Sequence, residues 1–285
     1  MKTIGFVDYY ISEWHANHYP AWIQEASEAL GLDFCVKYAW AEEYVSPVDG
    51  RNTDEWCSAF GIEKCHSLSE LCEKSDCLLV LAPSNPEKHL AYAKEVLKYN
   101  KPTYIDKTFA PDYASAKEIF AIAEQHSAKF FSSSALRYAA ELCELEDIRQ
   151  LLITGGGSNF EEYIVHQLEM LVRLIPSGAK AVKVIRQGNQ QICQVAFEGG
   201  QKAVLLFAPA MPYTVCTESG TSVSTYKEIK SAFFKGLIQS ILHFYQSGEL
   251  PFDGRQTLQV MRLRDGLMQG LNQPETWIEL QEKCL

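Results

Sequence analysis

Residues 78–110 constrain the fold of this chain more than any other stretch; they read LLVLAPSNPEKHLAYAKEVLKYNKPTYIDKTFA. The run from Leu78 to Leu81 is apolar and has the length of a buried strand. Asn85 can cap a helix, Pro86 suits a first helical position, and apolar residues then recur at helical spacing. Thr103 to Ile105 restarts a strand. A strand, a helix and a strand this close together predict a parallel crossover unit.

Polar residues follow both strands of this unit. In open parallel sheets, ligands bind beyond the carboxyl ends of the strands. We expect the loop from Ala82 to Asn85, which contains Pro83, to lie at that edge. The tripeptide Asp106-Lys107-Thr108 is expected beside it, so both segments are candidates for a ligand site.

The length of the chain, 285 residues, suits one large or two medium domains. Its second half alternates like an antiparallel sheet, with strands expected near 181–185, 191–197 and 202–208. We therefore expect an α/β protein: a Rossmann-like parallel-sheet domain over residues 1–135, then an α+β domain with a mostly antiparallel sheet over residues 136–285.

The composition limits the classes of partner. The net charge is −10, and an acidic surface argues against nucleic acid and against an anionic membrane. No apolar run approaches the length of a membrane span, and the N-terminal sequence MKTIGFVDYYISEW lacks the pattern of a secretory signal. Nine scattered cysteines without a C-x-x-C pattern favour a reduced, cytoplasmic protein. We expect it to act on a small molecule.

Two groups of residues with metal-binding chemistry do not match a metal site. His15 and His18 lie near a strand end without an evident third ligand, so lining a cleft or capping a helix is the favoured interpretation. The cysteines between Cys57 and Cys77 match no common zinc spacing and are interpreted as buried, inert thiols. We therefore predict no metal ligands.

The first predicted strand, Thr3 to Val7, is not followed by the glycine loop G-x-G-x-x-G of dinucleotide-binding folds. Asp8, Tyr10 and Glu13 occupy the three glycine positions instead. Such a loop would put two carboxylates beside a pyrophosphate and a bulky ring where the backbone must approach it closely. This segment therefore argues against dinucleotide binding.

The second predicted strand, Leu32 to Trp40, lacks the acidic residue that usually holds the ribose hydroxyls of NAD. Glu42 and Glu43 follow slightly later and are poor substitutes. The ring of Tyr38 or Trp40 could stack on an adenine or a ribose. A second signal for the cofactor is therefore missing.

The region from Pro83 to Thr108 nevertheless resembles the glucose-fructose oxidoreductase, inositol dehydrogenase and MocA (Gfo/Idh/MocA) family. That family has a proline-containing loop, a histidine that opens a helix, and a Glu-Lys-Pro tripeptide, which correspond to Pro83, His89 and Asp106-Lys107-Thr108. The resemblance implies that NAD or NADP takes a hydride from a sugar or polyol carbon while Lys107 polarises the substrate oxygen. Thr108 replaces the family's proline, the residue type that best tolerates a cis peptide.

The resemblance assigns further roles in binding. Contacts with the cofactor are expected from Asp8, Tyr10, Trp40, Ala82, Pro83, Asn85 and Asp106. Contacts with the substrate are expected from His89, Arg137 and Tyr163. The structural alternative for Arg137 is a surface ion pair. The structural alternative for Lys107 is a solvated lysine at a strand end.

A second motif follows Gly155-Gly156-Gly157. The family carries a glycine stretch and then D-x-G-x-H-x-x-D on a helix, and its acidic positions fall on Glu162 and Glu169 around His166. The resemblance implies that His166 is the acid-base residue, tuned by Glu162. Residues four apart on a helix can meet, and a carboxylate neighbour moves an imidazole toward titration near neutral pH. A satisfied surface pair on an amphipathic helix is the alternative.

Three functional hypotheses remain open. The first is an NAD(P)-dependent oxidoreductase that acts on a sugar, a polyol or a similar hydroxylated molecule, and that forms a homo-oligomer. The second is a relative without cofactor that binds or senses a small polar ligand. The third is a non-catalytic assembly subunit of a larger oxidoreductase.

Overall fold

The computed structural model describes residues 1–280 and divides the chain into two compact units. The first unit comprises residues 1–133 and 235–253. The second comprises residues 134–234 and, within the described part of the chain, residues 254–280. Residues 235–253, which the sequence assigned to the second domain, thus pack with the first unit.

The first unit is built on a parallel sheet of six strands in the order β3-β2-β1-β4-β5-β6. This order is typical of the Rossmann fold and confirms the predicted fold class. The strands are β1 (Lys2–Tyr10), β2 (Phe34–Glu43), β3 (Glu63–Lys64), β4 (Cys77–Val80), β5 (Thr103–Ile105) and β6 (Phe130–Phe131).

Helices connect these strands as the crossover pattern predicts. They are α1 (Trp14–Leu30), α2 (Thr53–Phe60), α3 (Leu68–Lys74), α4 (Pro86–Val96) and α5 (Tyr113–Gln125). Helix α1 ends at Gly31, whose φ of 64° lies in the left-handed region that glycine adopts without strain. Helix α1 begins at Trp14 and contains Pro20.

Residues 235–253 of the first unit contain most of helix α7 (Phe233–Ser247). Tyr245 of this helix donates a hydrogen bond to the backbone oxygen of Leu78 at 2.6 Å. The ring of Phe244 packs edge-on against Phe131, with 5.4 Å between the ring centres. The segment therefore joins the core of the first unit beside β4 and β6.

The second unit contains a mixed sheet of seven strands in the order β12-β11-β7-β10-β9-β8-β13. Pairing among the described strands is antiparallel except between β7 and β10, as the sequence predicted for most of this sheet. The strands are β7 (Ile148–Gly155), β8 (Ala179–Gln187), β9 (Gln190–Phe197), β10 (Lys202–Phe207), β11 (Thr214–Ser219), β12 (Ser224–Glu228) and β13 (Trp277–Glu279).

Helices α6 (Phe160–Leu174) and α8 (Arg255–Asn272) pack on this sheet. The amide of Gln167 on α6 donates to the backbone oxygens of Ile153 and Leu206 at 3.1 and 3.0 Å. Glycines on α8 bring that helix close to β8, since a Cβ at Gly270 would lie 2.8 Å from a methyl of Val184. Across residues 1–280, no helix combines the length and the apolar character needed to cross a membrane.

Candidate functional site

The first strand is longer than the sequence predicted, and this changes the expected nucleotide loop. β1 continues to Tyr10 rather than ending near Val7, because β2 also continues and pairs with it as far as Tyr10 opposite Glu43. Asp8, opposite Ala41, therefore lies inside the sheet. Asp8 and Tyr10, which occupy two of the three positions of the glycine loop, are therefore strand residues, and the backbone makes no glycine-type turn there.

Asp8 is buried at the carboxyl end of β1. One carboxylate oxygen accepts hydrogen bonds from the backbone amides of Tyr9, at 2.7 Å, and Ala82, at 3.1 Å, and the other oxygen has no partner. Burial raises the pKa of Asp8 well above its usual value, and the charges of Glu13 and Asp106 raise it further. The side chain thus links β1 to the loop after β4.

Glu13 caps helix α1. One carboxylate oxygen accepts a hydrogen bond from the backbone amide of His15 at 2.8 Å, and the other accepts one from the amide of Ala16. A helix N-terminus is where a Rossmann fold holds a pyrophosphate, because free backbone amides and the helix dipole favour an anion. A carboxylate of the chain itself occupies this position.

His15 lies between two carboxylates. Its Nδ1 is 3.2 Å from the Glu13 carboxylate, and its Nε2 is 3.7 Å from the Asp106 carboxylate. Asp106 is buried and accepts a hydrogen bond from the Tyr104 hydroxyl at 3.0 Å. The histidine thus connects the start of α1 with the end of β5, which the sequence had not predicted.

The described residues contain no group of three or more His, Cys, Asp or Glu side chains arranged to hold a metal ion. Nδ1 of His18 lies 2.6 Å from the backbone oxygen of Trp14, inside α1. Burial raises the pKa of the Cys57 thiol to about 11 and that of Cys77 to about 12, so both stay protonated near neutral pH.

The loop after β4 approaches the expected site with an unusual backbone. Ala82 is buried and has a φ of 53°, a left-handed conformation uncommon for a residue with a side chain. Pro86 takes the first position of α4 as predicted, but the Asn85 side chain does not cap the helix. Its amide donates to Glu87 at 2.9 Å instead, which corrects the expected cap.

Lys107 lies at the end of β5 with only 8% of its surface exposed. Its ammonium donates a hydrogen bond to the backbone oxygen of Pro83 at 3.2 Å. The structure thus brings together two predicted site residues, and the solvated-lysine alternative is wrong. The peptide bond between Lys107 and Thr108 is cis, although Thr108 replaces the proline of the family tripeptide.

His89 is fully buried near the start of α4. Its Nε2 lies 2.6 Å from the backbone oxygen of Leu81, and its Nδ1 lies 3.1 Å from that of Phe109. Burial lowers the pKa of this histidine. Both ring nitrogens face backbone oxygens, which favours a structural role over the predicted contact with substrate.

The end of β2 carries an internal ion pair where a ribose would be expected. Glu42 contacts the ammonium of Lys88 at 2.5 Å and accepts a hydrogen bond from the Tyr92 hydroxyl at 2.7 Å. Burial opposes ionisation of Glu42, but these two donors together lower its pKa. Trp40 is half-buried and packs edge-on against Tyr92, with 5.9 Å between ring centres.

In the second unit, α6 carries the predicted acid-base motif. Nδ1 of His166 lies 2.6 Å from the hydroxyl oxygen of Ser134. Asn159 caps the helix and also donates from its amide nitrogen to the Glu162 carboxylate at 3.2 Å. The pairing of Glu162 with His166 stays a prediction, whereas Ser134 is a neighbour that the sequence did not predict.

The glycines before α6 are required by close packing. A Cβ at Gly157 would lie 2.1 Å from the ring of Tyr163, and one at Gly155 would lie 2.4 Å from the ring of Tyr213. The ring of His166 lies 5.6 Å from that of Tyr163 and 6.0 Å from that of Tyr213. The glycines thus admit two tyrosine rings beside the histidine.

Arg137 is buried rather than exposed, so the surface ion-pair alternative is wrong. Its guanidinium contacts the Glu169 carboxylate at 3.0 Å and donates to the side chain of Gln256. Burial raises the pKa of Glu169, although the charge of Arg137 opposes the shift. These partners favour a structural role for Arg137 over the predicted contact with substrate.

Comparison with protein families identifies the first unit. Residues 15–134 match a model described as an oxidoreductase family with an NAD-binding Rossmann fold, the GFO_IDH_MocA family. The resemblance seen in the sequence is confirmed. These residues belong to the Gfo/Idh/MocA oxidoreductase family. The match begins at His15, so Asp8, Tyr10 and Glu13 lie outside it. No curated protein matches the chain.

Solved structures of this fold match nearly the whole chain. An NAD-binding oxidoreductase from Klebsiella pneumoniae has a TM-score of 0.75 at 11% identity, covering 99% of this chain and 100% of that one. A scyllo-inositol dehydrogenase from Lactobacillus casei has a TM-score of 0.74 at 13% identity, covering 98% of both. A biliverdin reductase from Synechocystis, solved with biliverdin and NADP+, has a TM-score of 0.65 at 14% identity, covering 94% and 98%. At these identities the likeness establishes the fold.

Proposed function

We propose that this chain is an oxidoreductase that acts on a small hydroxylated molecule, such as a sugar or a polyol, with NAD or NADP as its partner. The buried ammonium of Lys107 at the carboxyl end of β5 carries this proposal. The family match of the surrounding residues supports it, and so does the similarity to an inositol dehydrogenase, which acts on a polyol.

Lys107 is proposed to donate a hydrogen bond to the substrate oxygen. Its ammonium is held near the backbone oxygen of Pro83, at the edge of the sheet where parallel-sheet proteins bind ligands. A positive donor at this position stabilises the negative charge that develops on the oxygen as its proton leaves. Asp106 holds the preceding position through its hydrogen bond from Tyr104.

His166 is proposed to carry the proton. The hydroxyl of Ser134 lies 2.6 Å from its Nδ1, which fixes the orientation of the ring, and an imidazole can exchange a proton near neutral pH. Glu162 is proposed to tune this histidine and Tyr163 to contact substrate, because both lie on the same helix within one turn of it.

The cofactor is taken from the family, and one part of its usual site does not fit. At the N-terminus of α1, the Glu13 carboxylate already accepts the amide hydrogen bonds that a pyrophosphate would need. No step of the proposed mechanism therefore depends on a dinucleotide held at that helix. Contacts from Trp40, Ala82, Pro83 and Asn85 stay proposals, as does the choice between NAD and NADP.

The experiment that tests this function is a turnover screen. Sugars, inositols and linear polyols are offered with NAD+ or NADP+, and reduced cofactor is followed by its absorbance. Saturable turnover that is lost in Lys107→Met supports the proposal. Turnover that survives this substitution would exclude Lys107 from the mechanism.

We also propose that the protein is a cytoplasmic homo-oligomer. On the sheet of the second unit, Tyr226, Leu152 and Trp277 belong to one row of paired positions and are 63%, 39% and 44% exposed. Gln194 and Lys183 stand between Leu152 and Trp277 in this row, and exposed large apolar side chains with polar neighbours are typical of a protein interface. Light scattering tests whether the protein is a homo-oligomer. Leu152→Glu is expected to lower the molecular mass that it measures.

A further inference from the structure

At the N-terminus of α1, this chain supplies its own anion to a position that Rossmann folds reserve for a ligand. The Glu13 side chain is only 6% exposed, and both carboxylate oxygens accept backbone amide hydrogen bonds. Glu13 is the residue directly before the helix, and its backbone is extended, with φ of −139°, as in an ordinary N-cap. The carboxylate is thus built into the helix end.

The surroundings make a second anion at this position unfavourable. Glu13, Asp8 and Asp106 are all buried, and the charges of Glu13 and Asp106 help to raise the pKa of Asp8. A pyrophosphate would add negative charge beside the buried carboxylates of Glu13 and Asp106, where Coulomb repulsion is strong. His15 lies between the carboxylates of Glu13 and Asp106, at 3.2 and 3.7 Å.

Nothing at the nearby strand ends offers a glycine-type alternative within the described residues. β1 stays paired with β2 to Tyr10, and Glu42 at the end of β2 is engaged with Lys88 and Tyr92. The amides of His15 and Ala16 are therefore the groups for which an incoming pyrophosphate has to compete.

We propose that Glu13 is an internal substitute for the pyrophosphate: its carboxylate competes with a dinucleotide for the amides of His15 and Ala16 and so sets the affinity for the cofactor. This inference rests on the proposed function in taking a dinucleotide as the ligand. It also names the residue that determines how tightly this chain binds that ligand.

The test is a calorimetric titration of NADH, NADPH and inorganic pyrophosphate into wild type and Glu13→Ser. Serine keeps a capping oxygen but removes the carboxylate and its reach. We expect Glu13→Ser to bind pyrophosphate and at least one dinucleotide about tenfold or more tightly than wild type does. Glu13→Gln, which removes only the charge, is expected to show a smaller gain and serves if the serine variant does not fold.

Two matched variants separate the charge at α1 from general effects of capping. Glu13→Asp keeps a carboxylate and is expected to gain no affinity. Asp112→Ser removes the capping carboxylate of α5, which accepts a hydrogen bond from the Ser115 amide at 2.7 Å. It is likewise expected to leave binding unchanged.

The outcomes separate this inference from the proposed function. If Glu13→Ser binds pyrophosphate more tightly but no form of the protein binds a dinucleotide, competition by the Glu13 carboxylate for the helix amides is supported, whereas its role in cofactor affinity and the NAD(P)-dependent function fail together. If neither Glu13→Ser nor Glu13→Gln binds pyrophosphate or a dinucleotide more tightly than wild type, the inference is overturned, even where wild type oxidises a polyol.

Discussion

The carboxylate of Asp8, at the end of β1, accepts a hydrogen bond from the backbone amide of Ala82, 3.1 Å away in the loop after β4. Because Asp8 is buried, its pKa in the folded state lies well above that in the unfolded chain. The folded state therefore binds more protons than the unfolded state between these two pKa values. Stability from this group is present at low pH and is lost as the pH rises toward the folded pKa.

Asp8→Asn is expected to remove this pH dependence. The amide cannot ionise, so the midpoint of thermal unfolding should fall less between about pH 5 and pH 8 than it does in wild type. Thermal melts across this range measure the difference. Asp112→Asn, a cap on an exposed turn, is the control and should follow wild type. Parallel curves for Asp8→Asn and wild type would show that Asp8 is ionised in the folded protein.

Lys107→Met is expected to lower kcat by about 100- to 1,000-fold, the usual cost of removing one donor that stabilises a developing negative charge. Methionine keeps most of the side-chain volume, so the fold should persist. Steady-state kinetics on the substrate found by screening measure the loss. Lys129→Met is the matched control, because Lys129 also donates to a backbone oxygen, that of Gly248 at 2.9 Å.

His166→Gln is expected to lower kcat by about 100-fold or more if this histidine transfers the proton. Ser134→Ala should have a smaller effect and should shift the pH profile of kcat/KM, because it removes the hydroxyl that contacts Nδ1. A pH-rate series for both variants measures this. An unchanged pH profile in His166→Gln would mean that His166 has a structural role and does not transfer the proton.

Glu169→Ala is expected to lower the free energy of unfolding by about 3–5 kcal/mol, because it leaves the buried guanidinium of Arg137 without its carboxylate. Urea denaturation measures the loss. The double variant Arg137→Met, Glu169→Leu removes both charges and should recover most of the stability. A loss below about 1 kcal/mol in Glu169→Ala would mean that Arg137 finds another partner or water.

Local pattern was enough to predict the crossover unit. The apolar run of β4, the proline at the start of α4 and the restart at β5 all lie within residues 78–110, and each is decided by neighbours in sequence. The placement of Lys107 beside Pro83 followed from the rule on parallel strand ends. These features do not depend on distant parts of the chain.

Pairing between distant segments could not be predicted in the same way. β1 extends to Tyr10 because β2 continues to Glu43, and the apolar pattern of either strand alone does not show this. The contact of Tyr245 with Leu78 joins residues 167 positions apart. The cap at Glu13 carried little local signal, because glutamate is not among the residues preferred at that position, and Pro20 within α1 is more typical of a helix start.

The most direct measurement is a titration of the wild-type protein with NADH and NADPH, followed by the fluorescence of Trp14 and Trp40 in the first unit. The proposed function predicts saturable quenching by at least one of them below about 1 mM, the upper part of the range in which enzymes usually bind substrates. Glu13→Ser is then expected to saturate at a lower concentration. No saturation by either cofactor in wild type or in Glu13→Ser would contradict an NAD(P)-dependent oxidoreductase and leave a ligand-binding relative as the function to test.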